Sequence, residues 1–113
     1  MVCRIGTGAL LGIEVSPVRV EADVSGGLPG FFIVGMGDRA VAESRHRVRA
    51  AIKHSGFSFP DGRLTVNLAP ADLRKDGTGF DLPIAASIIL ASRGEPVDTS
   101  GLFLAGELAL DGR

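Results

Sequence analysis

Val18-Arg19-Val20-Glu21-Ala22-Asp23-Val24 is the stretch on which the fold class turns. Four apolar residues alternate with Arg19, Glu21 and Asp23, and a period of two describes a strand with one face on a core and the other in water. Upstream, residues 10–15 form a short apolar run closed by Ser16-Pro17. That dipeptide predicts a turn, making the two runs hairpin partners. Downstream, a Gly- and Pro-rich connector leads to Phe31-Phe32-Ile33-Val34. Four consecutive apolar residues predict a strand covered on both faces.

A helix is predicted next. Asp38 is a good N-cap, and Gly56 stands where a left-handed residue ends a helix. At 100° per residue Ala40, Val41, Ser44, Val48, Ala51, Ile52 and Ser55 share an arc of about 120°. The small residues on this arc predict close packing on a sheet. The other side carries Arg39, His46, Arg47, Arg49, Lys53 and His54, with Arg45 at its edge.

Residues 63–68 are suited to a strand. A polar loop follows over 69–79, with a helical turn expected near 71–73. Residues 82–92 predict a second helix, apolar on nearly every side and therefore central, with Pro83 in its first turn. Residues 102–105 and 107–110 predict two strands or one bent strand. Asp111-Gly112 is a hairpin signal whose second arm is missing, so the chain reads as a fragment of a longer protein.

The chain has 113 residues, 45% apolar and 22% charged, as expected of one globular domain. Twelve basic against thirteen acidic residues give a net charge of −1, which excludes a protein basic enough to bind polyanions over its whole surface. No apolar run reaches the ~20 residues that span a bilayer, so no membrane partner is expected. The single Cys3 can form no internal disulfide, and a reducing cytoplasm is the expected setting.

Several motifs admit a plain and a functional reading. Gly35-Met36-Gly37-Asp38-Arg39-Ala40 resembles a dinucleotide fingerprint. Asp38 already occupies the cap, however, and no ribose-binding acid ends the next strand, so a tight turn is the better reading. No Gly-Lys pair occurs, so a nucleotide-binding P-loop is absent. His46 and His54 lack a third ligand at a metal spacing. Arg45, Arg47, Arg49 and Lys53 form a basic helix face, the candidate contact to DNA or to a neighbouring subunit. Like charges four residues apart repel; a merely solvated face is the plain alternative. The loop Arg74-Lys75-Asp76-Gly77-Thr78-Gly79 enters the apolar helix. It suits an oxyanion functionally, or structurally a backbone turn braced by Asp76 and Asp81.

The stretches Gly27-Leu28-Pro29-Gly30-Phe31-Phe32-Ile33-Val34-Gly35, Val66-Asn67-Leu68-Ala69-Pro70-Ala71-Asp72-Leu73-Arg74-Lys75-Asp76-Gly77 and Gly106-Glu107-Leu108-Ala109-Leu110-Asp111-Gly112 resemble the start of the magnesium-chelatase-like AAA+ ATPases, the YifB/ComM family. The resemblance covers essentially the whole chain. It implies an α/β domain similar to the proteolytic domain of Lon protease, in the fold of the second domain of small-subunit ribosomal protein five. It also implies a downstream AAA+ module using ATP and magnesium, with no cofactor in this stretch. The implied partners are that module, neighbouring subunits of a homo-hexamer, and DNA. ComM-like members are similar to a helicase that promotes branch migration in natural transformation. The Lon domain has a Lys-Asp-Gly stretch, with the nucleophilic serine two residues after the glycine. Lys75, Asp76 and Gly77 match, Thr78 follows, and Gly79 takes the serine position. A glycine has no group to attack a carbonyl. Met36-Gly37 also departs from the Leu-Pro expected there.

The expectation is therefore a single α/β (α+β) domain, a mixed sheet of four to five strands with two main helices. Its role would be that of a non-catalytic assembly or regulatory domain, with no catalytic, cofactor or metal residues. The alternatives are a serine-lysine peptidase-like hydrolase, or a subunit of a metal chelatase.

Overall fold

The alternating stretch lies in the second and longest strand of a four-stranded sheet. The computed structural model describes residues 2–11, 14–35, 37–71, 75, 77–94 and 98–113. In chain order the elements are β1 (Val2–Leu11), β2 (Glu14–Ser25), β3 (Gly30–Val34), α1 (Arg39–His54), β4 (Arg63–Ala69) and α2 (Asp81–Arg93). The sheet order is β1-β2-β4-β3. β2 is antiparallel to both neighbours, while β3 and β4 are parallel. Parallel neighbours need a long crossover, and α1 supplies it. The mixed open sheet with two helices is the architecture expected.

The period of two fills the core. Val20 and Ala22 of β2 face Leu68 and Val66 of β4 across the ladder, and all four are buried. Ile5 and Phe31 extend the same face on β1 and β3, and Val41, Val48, Ile84 and Ile88 pack in the same core from the helices. The opposite face carries a polar cluster where β1, β2 and β4 meet. Arg4 Nε donates to Glu21 Oε2 at 2.7 Å, and Asn67 Nδ2 to Glu21 Oε1 at 3.2 Å. The Arg4 hydrogen bond holds the Glu21 carboxyl below the usual carboxylate range, against the opposing effect of burial. This exposed pair contributes at most about 1 kcal/mol.

Four expectations are corrected. Ser16-Pro17 is no turn: both lie within β2, and β1, which pairs with it, runs back to Val2. Pairing with β4 begins only at Arg19, so Pro17 has an unpaired flank where its missing amide is tolerated. Second, β3 is an edge strand covered on one face. Phe31 is buried, but Phe32 and Val34 are 43% and 48% exposed, because the helices pack on a single side. The Arg63 guanidinium, 4.7 Å from the Phe32 ring centroid, lies over that ring. Third, residues 102–110 form no strand, only one bridge between Gly6 and Phe103. Leu104 N donates to the Gly6 carbonyl; the chain then leaves β1 to clasp α2, with Gly106 N on Gly79 O and Leu82 N on Gly106 O. Ladder pairing stops where those bonds divert the backbone. Fourth, α2 is buried mostly along one side. Leu82, Ala86 and Ile89 open on a groove of 170 Å³ shared with Ala51, Phe57 and Leu108. The turn at 109–113 does form, through Ala109 N to Arg113 O at 2.8 Å.

Both ends of α1 are as expected. Asp38 Oδ1 accepts from Val41 N at 2.8 Å. At the other end Gly56, at φ +88°, donates to Lys53 O, and Phe57 N donates to Ile52 O at 3.1 Å. This is the paired 5→2 and 6→1 closure that a left-handed residue permits. The helical turn expected near 71–73 includes Asp72 and Leu73, which lie outside the described residues.

Candidate functional site

The loop that carries the Lys-Asp-Gly match lies against the end of β3 and the start of α1. Gly37 bridges Lys75, and Asp38 N donates to Lys75 O at 2.9 Å. Asp38 Oδ2 accepts from Gly77 N at 3.1 Å, so one carboxylate caps α1 and ties down the loop. The Lys75 side chain is wholly buried. Its Nζ donates to the Gly35 carbonyl at 2.5 Å and to the Pro70 carbonyl. Gly35 sits at φ +116°, where a β-carbon would press into the Leu68 backbone. Lys75 thus braces two turns from inside. Asp76, like Met36 and Arg74, lies outside the described residues.

Position 79 faces open space: a β-carbon there would meet nothing within 4 Å. A small residue with a side chain therefore fits, and glycine is no steric necessity. Beside it, Thr78 Oγ1 donates to Glu107 Oε2 at 3.2 Å in an exposed setting. At the glycine turn before α1, Asp38 takes the Val41 amide of α1 and the Gly77 amide of the facing loop.

Asp38→Ala is expected to cost about 1–2 kcal/mol in stability, slightly more than a simple cap, because the Gly77 amide also loses its acceptor. Asp38→Asn retains most of it. Urea denaturation checks this, and an alanine variant as stable as the parent protein would refute the bracing role.

The basic face divides in two. Arg47 turns inward: Nε donates to Asp81 Oδ2 at 2.7 Å, and Nη2 to Asp81 Oδ1 at 3.0 Å and to the Ala40 carbonyl at 2.8 Å. Asp81 is fully buried and also accepts from Ser44 Oγ at 2.5 Å and Leu108 N at 3.2 Å. The Asp81 hydrogen bond raises the Arg47 pKa above its ordinary value, against burial. Phe80 takes the N-cap position of α2, and Asp81, expected to brace the loop before it, joins α1, α2 and the C-terminal segment. Arg45, Arg49 and Lys53 remain exposed. Arg45 and Arg49, with His46 and Phe31, line a recess of 190 Å³. His54 is apart, its Nδ1 donating to Leu110 O at 3.0 Å. Among the described residues no cluster of three metal-binding side chains occurs, and no helix is long and apolar enough to cross a membrane.

Residues 20–113 match the protein family described as subunit ChlI of Mg-chelatase. The chain belongs to the ChlI family. YifB of Salmonella typhimurium is 47% identical over 111 residues, and YifB of Escherichia coli 45% over 109, each covering 96% of this chain and 22% of the relative. Competence protein ComM of Haemophilus influenzae is 46% identical over 109 residues, 93% of this chain and 21% of the relative. This ChlI-family chain therefore spans about a fifth of the length of the curated relatives it matches. Sequence reading found its loop and its basic face but missed the Arg47–Asp81 pair and the buried Lys75. Ser44 and Arg47, three apart on the helix, were a faint signal for the first.

Proposed function

We propose that this chain is a non-catalytic assembly or regulatory domain of a longer Mg-chelatase-like AAA+ ATPase, one that binds ATP and magnesium elsewhere and drives a DNA-directed motor. The observation that carries the reading is the loop itself. At the position of the Lon nucleophile stands Gly79, in open space with no attacking group, while Lys75 is committed to two backbone carbonyls. The loop is a scaffold. The family description, subunit ChlI of Mg-chelatase, supports the chelatase-like parent, and the name of one relative, a competence protein, supports the DNA-directed part of the reading. The length of the relatives leaves room for an ATPase module. In the intact parent, deletion of residues 1–113 is expected to leave nucleotide binding in place and to disturb subunit assembly. Sedimentation with and without ATP reads this, and an unchanged assembly would remove the assembly role.

One observation favours a second reading, a hydrolase: the Thr78 hydroxyl has the Glu107 carboxylate in hydrogen-bond reach. A carboxylate alone is weak activation of an alcohol. A fluorophosphonate probe is expected to leave the protein unlabelled by intact mass. An adduct that Thr78→Val abolishes would establish the hydrolase instead.

A further inference from the structure

The recess on the outer face of α1 has a construction that a merely solvated face does not require. Arg45 and Arg49 are one helical turn apart, so their guanidiniums overlie the same patch. Arg49 stands 4.9 Å from the Phe59 ring centroid, and Phe59 packs at 5.5 Å against Phe31. Arg45 Nη1 approaches the Phe31 carbonyl at 3.5 Å. An aromatic pair and a carbonyl thus hold two cations near one another. Among the described residues no carboxylate forms an ion pair with either, whereas Arg47, between them in sequence, is neutralised by Asp81. Two neighbouring like charges repel until an anion enters. The recess they share with His46 is 190 Å³, ample for a phosphate group.

We propose that the Arg45–His46–Arg49 recess binds a backbone phosphate of a nucleic acid. The proposal rests on the DNA-directed reading above and names the residues that would make the contact. A guanidinium presents paired N–H donors to two phosphate oxygens. Arg45, Arg49 and Lys53 recur every four residues, a rise of about 6 Å per step along α1. That row suits a polymer of regularly repeated charge better than a single carboxylate on a neighbouring domain. With a net charge of −1 for the whole chain, attraction for a polyanion must come from local clusters of cations such as this strip.

The test is fluorescence anisotropy of labelled single-stranded and duplex oligonucleotides with the 113-residue protein across a range of salt. Arg45→Ala/Arg49→Ala is expected to weaken binding at low salt by about 10-fold or more and to reduce the log–log salt slope by about 2. Lys53→Ala should reduce that slope by about 1. Both side chains are exposed, so the melting curve of the double variant should match the parent protein. As an independent readout, inorganic phosphate should shift the His46 ring and Arg45 and Arg49 side-chain NMR signals. Absence of oligonucleotide binding at low salt, an unchanged slope in the double variant, or unmoved signals with phosphate would each overturn the proposal. So would polyglutamate competing as well as DNA at equal charge, which would make the partner an acidic polypeptide. None of these outcomes touches the assembly measurement, so the recess can fail while the domain's wider role stands.

Discussion

Asp81→Ala is expected to lower folding stability by about 3–5 kcal/mol, because it strands the Arg47 guanidinium beside a closed core. Asp81 is fully buried and accepts four hydrogen bonds from α1 and the C-terminal segment. The Arg47 side chain is 19% exposed, so little water can replace the lost carboxylate. The Ser44 hydroxyl and the Leu108 amide lose their acceptor in the same step, which places the loss toward the upper end of that range. Domains of this size have about 5–15 kcal/mol in total, so the variant should be marginal at 37 °C. Urea denaturation measures the loss. The double variant Asp81→Ala/Arg47→Met should recover a substantial part, since removing both charges is far less costly than removing one. A single variant within about 1 kcal/mol of the parent protein would place the pair in the class of weak surface bridges and refute its bracing role.

Lys75→Ala is expected to cost about 3–5 kcal/mol, the sum of a cavity and of carbonyls left without a donor. Lys75 is wholly enclosed, and its ammonium holds Gly35 and Pro70 through their carbonyl oxygens. Lys75→Met separates the two contributions. It keeps most of the side-chain volume, so the remaining loss should be about 1–3 kcal/mol for the orphaned acceptors. If Lys75 were instead held for chemistry, either substitution would leave stability close to that of the parent protein, and thermal melting would show it. The contrast with Asp81 lies in what is left behind. A lost ammonium leaves behind neutral carbonyls, while a lost carboxylate leaves behind a charge.

The elements most easily read were those with a periodic pattern and chemical end signals. Asp38 and Gly56 marked α1 because capping and left-handed termination are local events, decided by a few atoms of one residue. The alternation at 18–24 gave β2 its buried face, since a strand's side chains must alternate. Pro17 misled because its cost depends on whether a neighbouring strand lies opposite its missing amide. Only the sheet order answers that. Phe32 and Val34 misled for a related reason: a run of apolar residues does not say how many helices cover a strand.

The candidate site divides in the same way. The Lys-Asp-Gly match, the absent side chain at 79 and the row of basic residues on α1 were all legible, because they are matters of residue type and spacing. Which cations remain available was not. Arg47 and Arg49 look alike in the helical pattern, yet one is 2.7 Å from a buried carboxylate thirty-four residues away and the other stands over an aromatic ring.

By itself, then, the amino-acid order determined the helix ends, the core-facing alternation and the glycine at position 79, all of which follow from chemistry within a few bonds or one turn. The tertiary structure alone decided that Lys75 is a brace, that Asp81 neutralises Arg47, and that Arg45 and Arg49 are left facing a recess. Charge pairing and burial are set by what distant segments bring within a few ångströms, and no local pattern encodes that distance.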